Sequence, residues 1–187
     1  KIDAVLFTHE HSDHTSGLPD MRAMSLINQS IIPAFLSSDI KDSITRNYQY
    51  IFDGHRDYSP FMSVKTIEST FSIGNTKINT FKHNHGSIDV QTYRINNFAY
   101  LTDVKTIQKE ELEKLKNLDV LVINALRFDP HPSHLNVDEA IEIINQINPK
   151  TTYFTHISHN MGFHEEVCEK LPANVSLAYD GLVIELD

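Results

Sequence analysis

Apolar and polar positions along the chain follow two different periods, and the changes between them mark the expected elements. Ile2 to Thr8 is a short apolar run with β-branched and aromatic members, bounded by polar residues, and predicts a buried strand. After Ser16-Gly17-Leu18-Pro19, the segment from Asp20 to about Gln29 has helical spacing. Ile31 to Leu36 reads as a strand and Asp39 to about Tyr48 as a second helix. From Val64 to Thr102 short β-prone runs are punctuated by Gly74-Asn75 and Asn96-Asn97. Asn and Gly tolerate the positive φ of tight hairpins, so this stretch predicts an antiparallel meander. Thr106 to Lys116 reads as helix and Asp119 to Asn124 as strand. Asn136 to Ile147 is the clearest helix: Val137, Ala140, Ile141, Ile144 and Ile147 keep the helical period, Asn136 and Glu139 form a capping-box pattern, and Pro149 stops it. A strand from Thr151 to Thr155, a helix from Phe163 to Glu169 and two strands flanking Asp180-Gly181, the last over Leu182 to Leu186, complete the order. The fold class is α+β, and the expected architecture is an αβ/βα sandwich of two mixed sheets packed face to face with helices outside.

No repeat, low-complexity tract or linker divides the chain. With 187 residues, 40 % of them hydrophobic, residues 1–187 can bury a core as a single domain. A net charge of −9 argues against holding long nucleic acid on a phosphate-neutralising surface. A small anionic substrate stays open, because bound metal ions reverse the local field. The one cysteine, Cys168, has no partner for an intramolecular disulfide and lies in HEEVCEK, which suggests a helix face. No apolar run approaches membrane-spanning length, and KIDAVLFTH lacks the layout of a secretory signal, so the expectation is a soluble, cytoplasmic protein without a membrane partner.

Histidine changes the picture: the chain has 11 against 16 Lys plus Arg, and they cluster. In FTHEHSDHTSG four potential ligands, His9, His11, Asp13 and His14, fall within six positions directly after an apolar run. Alternate residues of an extended segment point the same way. His9 and His11 can therefore chelate one ion, while the following turn swings Asp13 and His14 toward another.

His-x-His-x-Asp-His after a strand resembles the signature of the metallo-β-lactamase superfamily, and the resemblance runs through the whole chain. It implies a metallo-β-lactamase-type sandwich and a pair of metal ions, with a later His completing the first site, an Asp bridging both and a last His completing the second. FKHNHGS offers His83 and His85. The His-Gly pair resembles the family pattern, so His85 is the implied ligand and His83 stands behind it or at the surface. Asp103, in AYLTD, is the implied bridge, since a carboxylate can hold two cations. His156, in YFTHISH, is the implied last ligand, and His159, past the strand end, lines the cleft. The implied set is His9, His11 and His85 on one ion, Asp13, His14 and His156 on the other, with Asp103 shared. Zinc or manganese fits such ligands. Iron is disfavoured, because di-iron relatives carry Glu at the position of His11. Asp103 stands where antibiotic-hydrolysing members carry Cys, so β-lactamase activity is not expected.

GLPDMR, ALRFDPHPSHLNVDEA, and THISH with AYDGLVIEL resemble the branch containing the phosphoribosyl cyclic phosphodiesterase. That branch implies hydrolysis of a small, including cyclic, phosphodiester: a small-molecule phosphoester substrate, with Asp13 and His134 taking part in the chemistry and His134 as the acid. The competing reading of His134 is a helix-entry residue bonded to backbone. His131 reads as a rigid loop residue, His55 and His164 as surface histidines. A thioester hydrolase and a non-catalytic metal-binding scaffold are the alternatives. Relatives usually carry several strands before the metal motif, which here arrives at residue 9. The expectation is therefore that the usual N-terminal strands are lacking and that either more polypeptide or a partner chain, as in a homodimer, covers the exposed sheet.

Overall fold

The computed structural model describes residues 1–186. The chain forms two compact units, Lys1–Lys77 and the residues from Ile78 onward. The first contains β1 (Val5–Leu6), α1 (Ser12–Thr15), a 3-10 turn (Leu18–Asp20), α2 (Met21–Asn28), β2 (Ile32–Leu36), α3 (Ser38–Asn47), α4 (Gln49–Phe52), β3 (Met62–Thr66) and β4 (Thr70–Ile73). Strands β1, β2 and β3 form a sheet in that order, parallel throughout, with Val5 opposite Ala34 and Ala34 opposite Val64. Ile32, Ala34 and Leu36 are buried with Phe7, Ile40, Ile44, Ile51 and Met62.

Three expectations change here. The first strand shortens to Val5–Leu6, with one further bond from Phe7 N–H to the Phe35 carbonyl (3.1 Å), because the chain leaves the ladder as it enters the histidine segment. The run around Val64 does not open the meander; it lies parallel to β2. Alternation fixes which face a residue presents and leaves the partner strand undetermined. The small sheet is accordingly parallel rather than mixed.

The second unit holds β5 (Thr76–His85), which begins at its boundary, then β6 (Ile88–Ile95), β7 (Phe98–Leu101), α5 (Lys109–Glu113), β8 (Val120–Asn124), α6 (Val137–Ile147), β9 (Thr151–Thr155), α7 (His164–Cys168) and β10 (Val175–Leu177). Its strands run in the order β10-β9-β8-β7-β6-β5. β5, β6 and β7 alternate in direction, whereas β7 through β10 are parallel, so this sheet is mixed. β5 therefore points the same way as β7, β8 and β9. The C-terminal ends of all four lie on one edge of the sheet.

Both expected turn pairs carry positive φ at their first residue, Gly74 (56°) and Asn96 (51°). A third turn, Gly86-Ser87, joins β5 to β6 with Gly86 at φ 70°. A Cβ on Gly86 would lie 3.0 Å from the Ser133 Cβ. Gly86→Ala is thus expected to destabilise the fold by about 1–2 kcal/mol from the left-handed backbone alone, with the contact adding to it; urea unfolding of the variant measures the loss.

Helix α6 is capped as its sequence indicates: Glu139 N–H donates to Asn136 Oδ1 (2.8 Å), and Asn136 N–H to Glu139 Oε2 (2.9 Å). It buries Val137, Ala140, Ile144 and Ile147 and ends at Asn148, φ 56°. The helix expected over Thr106 to Lys116 contracts to Lys109–Glu113, because Asn84 bonds the backbone of Lys105 and Thr106 and holds it extended. Leu182 to Leu186 is not a strand: its alternation suits a ladder, but among the described residues no strand pairs with it, and Val183 and Leu186 are exposed. No described helix is long and apolar enough to cross a membrane.

Candidate metal centre

The sequence-derived ligands divide between the two units. In the first, His9 follows the short β1 ladder and is fully buried, while His11 precedes α1 and His14 lies within it. The His9 ring centroid lies 4.5 Å from that of His11 and 4.3 Å from that of His14. Thr8 Oγ1 is 3.1 Å from His9 Nδ1, and His14 Nε2 is 3.2 Å from Asp13 Oδ2. The helical turn α1 is the swing that brings Asp13 and His14 round after His11. Thr15 Oγ1 fixes its start by donating to the His11 carbonyl (3.1 Å).

In the second unit the candidates occupy the edge formed by the C-terminal strand ends. His85 is the last residue of β5, Asp103 lies two past β7, and His156 follows β9 directly; the connection after β8 carries His131 and His134. Asp103 and His156 both adopt positive φ, 59° and 53°. This left-handed turn costs an L-residue energy, is tolerated better by Asp and His than by most side chains, and persists where the surroundings hold it. Three imidazoles face one oxygen: Asp103 Oδ1 lies 3.2 Å from His156 Nε2, 3.6 Å from His134 Nδ1 and 3.7 Å from His85 Nε2. The other oxygen, Oδ2, accepts from Thr102 Oγ1 at 2.6 Å.

This donor set suits a divalent cation. His85 Nδ1 lies 2.8 Å from the Ser133 carbonyl. A carbonyl only accepts, so Nδ1 carries the proton and Nε2 turns its lone pair toward the Asp103 carboxylate. Two acceptors 3.7 Å apart repel unless a positive charge lies between them. Ligands at tetrahedral zinc distances stand about 3.3 Å from one another, which the 3.2–3.7 Å separations around Oδ1 bracket. His85, Asp103 and His134 by themselves form a group able to hold a metal ion.

His83 takes no place in this group. Its Nε2–H donates to the Thr102 carbonyl (2.8 Å) and its Nδ1 accepts from Thr92 Oγ1 (2.7 Å). It is buried rather than at the surface, and burial pulls its imidazole down to about 4 against the opposing pull of the Thr102 bond and Asp103. Burial likewise lowers His134 to about 4, partly offset by Asp103, so its ring is neutral at neutral pH. His131 lies closer than a plain loop residue would: its ring packs at a tilt of 41° against His134 with centroids 5.0 Å apart, and its Nδ1 accepts from Ser133 N–H (3.3 Å). His159 is exposed. His55 stacks on Tyr58, and His164 Nε2 lies 3.1 Å from the Leu177 carbonyl.

Sequence reading missed several supports. Thr102 holds the Asp103 carboxylate, the Ser133 carbonyl sets the His85 tautomer, and Lys105 binds Glu139 (2.7 Å) while reaching the His134 carbonyl (3.4 Å). Fully buried Asn124, the last residue of β8, bonds both backbone groups of Val104. A lone polar residue closing the buried run VLVIN was a usable signal for Asn124; a backbone carbonyl leaves none.

A model described as a beta-lactamase superfamily domain matches residues 1–157. The crystal structure of a diphosphatase from the PhnP family is 33 % identical, with a TM-score of 0.90 over 100 % of this chain and 72 % of that one. Zinc-bound PqqB from Methylobacterium extorquens shares the fold at 18 % identity, with a TM-score of 0.73 over 99 % of this chain and 71 % of its own. A protein of Porphyromonas gingivalis named octanoyltransferase is 33 % identical over 190 residues, 100 % of this chain and 38 % of that protein. The chain thus spans about two fifths of that relative's length. A family match reaching across both histidine sets, joined to full-length likeness to a PhnP-family diphosphatase, makes this chain a member of the metallo-β-lactamase superfamily that resembles its PhnP branch.

Proposed function

We propose that the His9, His11, Asp13 and His14 set and the His85, Asp103 and His156 set serve one dinuclear centre that hydrolyses a small phosphodiester, cyclic ones included. The observation that carries this reading is the 33 % identity, over the whole chain, to a diphosphatase of the PhnP family. Diphosphates and phosphodiesters share a phosphorus bearing two substituents and a negative charge, so the two classes ask the same of a site. Divalent ions, zinc or manganese on this reading, would supply a lowered pKa for water and an electrostatic clamp on the oxygens attacking and leaving.

The chain's own residues set the stage for that. With Oδ2 held by Thr102, Asp103 presents Oδ1 to the imidazoles and would hold metal together with them. The Ser133 carbonyl keeps the His85 Nε2 lone pair available, a second contact of the kind that orients ligating histidines. His134, beside the ligands, is proposed to supply the proton that the departing oxygen needs.

The test is turnover of bis(p-nitrophenyl) phosphate, a ribose cyclic phosphate and a nucleoside diphosphate, before and after chelation and after return of zinc or manganese. We expect hydrolysis of at least one, abolished by chelation and restored by metal. A second reading has its own observation, the octanoyltransferase name of the Porphyromonas gingivalis relative, and would make the substrate an acyl thioester. Since this chain matches 38 % of that protein, the named activity need not reside in the matching part. Metal-dependent cleavage of an octanoyl thioester with all phosphoesters inert would decide for it, and no cleavage of either class would leave a metal-binding scaffold.

A further inference from the structure

We infer that Asn124 is a positioning residue for Asp103, acting as a strut that keeps the carboxylate turned toward the imidazoles. The inference rests on reading Asp103 as a metal ligand. Asp103 sits at φ 59°, a conformation the chain does not hold without support. The residue after it, Val104, is fully buried, and both of its backbone groups are taken by the Asn124 side chain. Val104 N–H donates to Asn124 Oδ1 at 2.6 Å, and Asn124 Nδ2–H donates to the Val104 carbonyl at 3.2 Å. The amide thus stands in for a ladder partner where the chain has left β7 and can no longer pair.

The same carbonyl accepts from Leu135 N–H at 2.8 Å. Leu135 follows His134 as Val104 follows Asp103, so one backbone oxygen joins the two segments that bring these side chains within 3.6 Å of each other. Asn124 is the residue that fixes where that oxygen lies. Asparagine suits the task because it offers a donor and an acceptor on one short, planar group. Its position at the end of β8, between β7 and β9, places that group beside the exit of β7.

The measurement is zinc affinity of the full chain, stripped of metal and titrated against a chromogenic chelator at a temperature where circular dichroism shows each variant folded. Asn124→Ala removes both bonds. Asn124→Asp has the same shape, keeps the acceptor for Val104 N–H and, as the neutral acid that a buried carboxyl without a cation becomes, can still donate to the Val104 carbonyl, which makes it the milder variant should alanine fail to fold. Loss of a contact that orients a ligand weakens metal binding by about 10–100-fold, and that is the expectation for alanine, with aspartate between it and the native protein. Val175→Ala, a cavity in buried β10, should lower the melting temperature and leave zinc affinity unchanged. Because Asn124 acts through Asp103, its loss should cost no further affinity in an Asp103→Ala background. Native affinity in the folded Asn124 variants, or a full additional loss in the Asp103→Ala background, overturns the inference while leaving the ligand reading intact. Native affinity in Asp103→Ala itself overturns both.

Discussion

Asp103→Ala is expected to lower turnover by about 10³-fold or more, the size of an effect worth several kcal/mol of transition-state charge stabilisation. If Asp103 is shared as proposed, the loss should exceed that of a ligand serving one ion, because a shared carboxylate would fix the spacing of both and hence the line of attack. Its oxygens are not equivalent: Oδ2 is occupied by Thr102, and Oδ1 is the point on which His85, His134 and His156 converge. Removing it also leaves three buried or half-buried imidazoles with no anion among them. Affinity for the second metal equivalent should fall with activity. Near-native turnover with two equivalents bound would remove Asp103 from the shared position.

His134→Ala should cost about 10²-fold or more on substrates whose departing group is an alkyl or ribosyl oxygen, within the range a positioned proton donor supplies. It should cost far less on bis(p-nitrophenyl) phosphate, whose nitrophenolate leaves without a proton. Burial keeps the ring mostly neutral at neutral pH, so the proton comes from its minority imidazolium form, which favours the low end of that range. Its distance of 3.6 Å from Asp103 Oδ1 also fits a ligand. The two roles separate cleanly when metal content is measured alongside the leaving-group comparison. Equal losses on both substrate classes with metal lost would make His134 a ligand; equal losses with metal retained and a lower melting temperature would make it structural.

Elements whose signals are local were legible in the sequence. Helix α6 carries its own cap and its own stripe, and the hairpin turns at Gly74 and Asn96 follow from which residues accept positive φ. Where a partner decides, the pattern fell short. The residues around Val64 alternate equally well for a parallel or an antiparallel neighbour, and Leu182 to Leu186 alternates with no strand beside it. Asn84, too far away in sequence to signal its effect, keeps Thr106 out of a helix. The candidate site divides along the same line. The clustering of His and Asp after apolar runs picked out side chains that gather at one sheet edge in the second unit. It said nothing of the left-handed turns at Asp103 and His156, the closed bonding of His83 or the amide of Asn124, all consequences of which backbone groups meet in space.

The connection from Ala125 to Asn136 leaves the site edge and returns to it, carrying Phe128 outward, while three of the candidate ligands in that unit sit on or just past strand ends. Exchanging it with the corresponding loop of a relative is therefore a route to a new substrate preference that spares the scaffold, as it is for enzymes that separate binding loops from their supports. The graft has a fixed terminus, however. The Ser133 carbonyl orients His85, Ser133 Cβ lies where only a glycine at position 86 leaves room, and Leu135 N–H bonds Val104. His131 packs its ring on His134 and Arg127 accepts from Val137 N–H, so a transplanted loop is free to vary from Phe128 to Pro130 and must rejoin the native chain at His131.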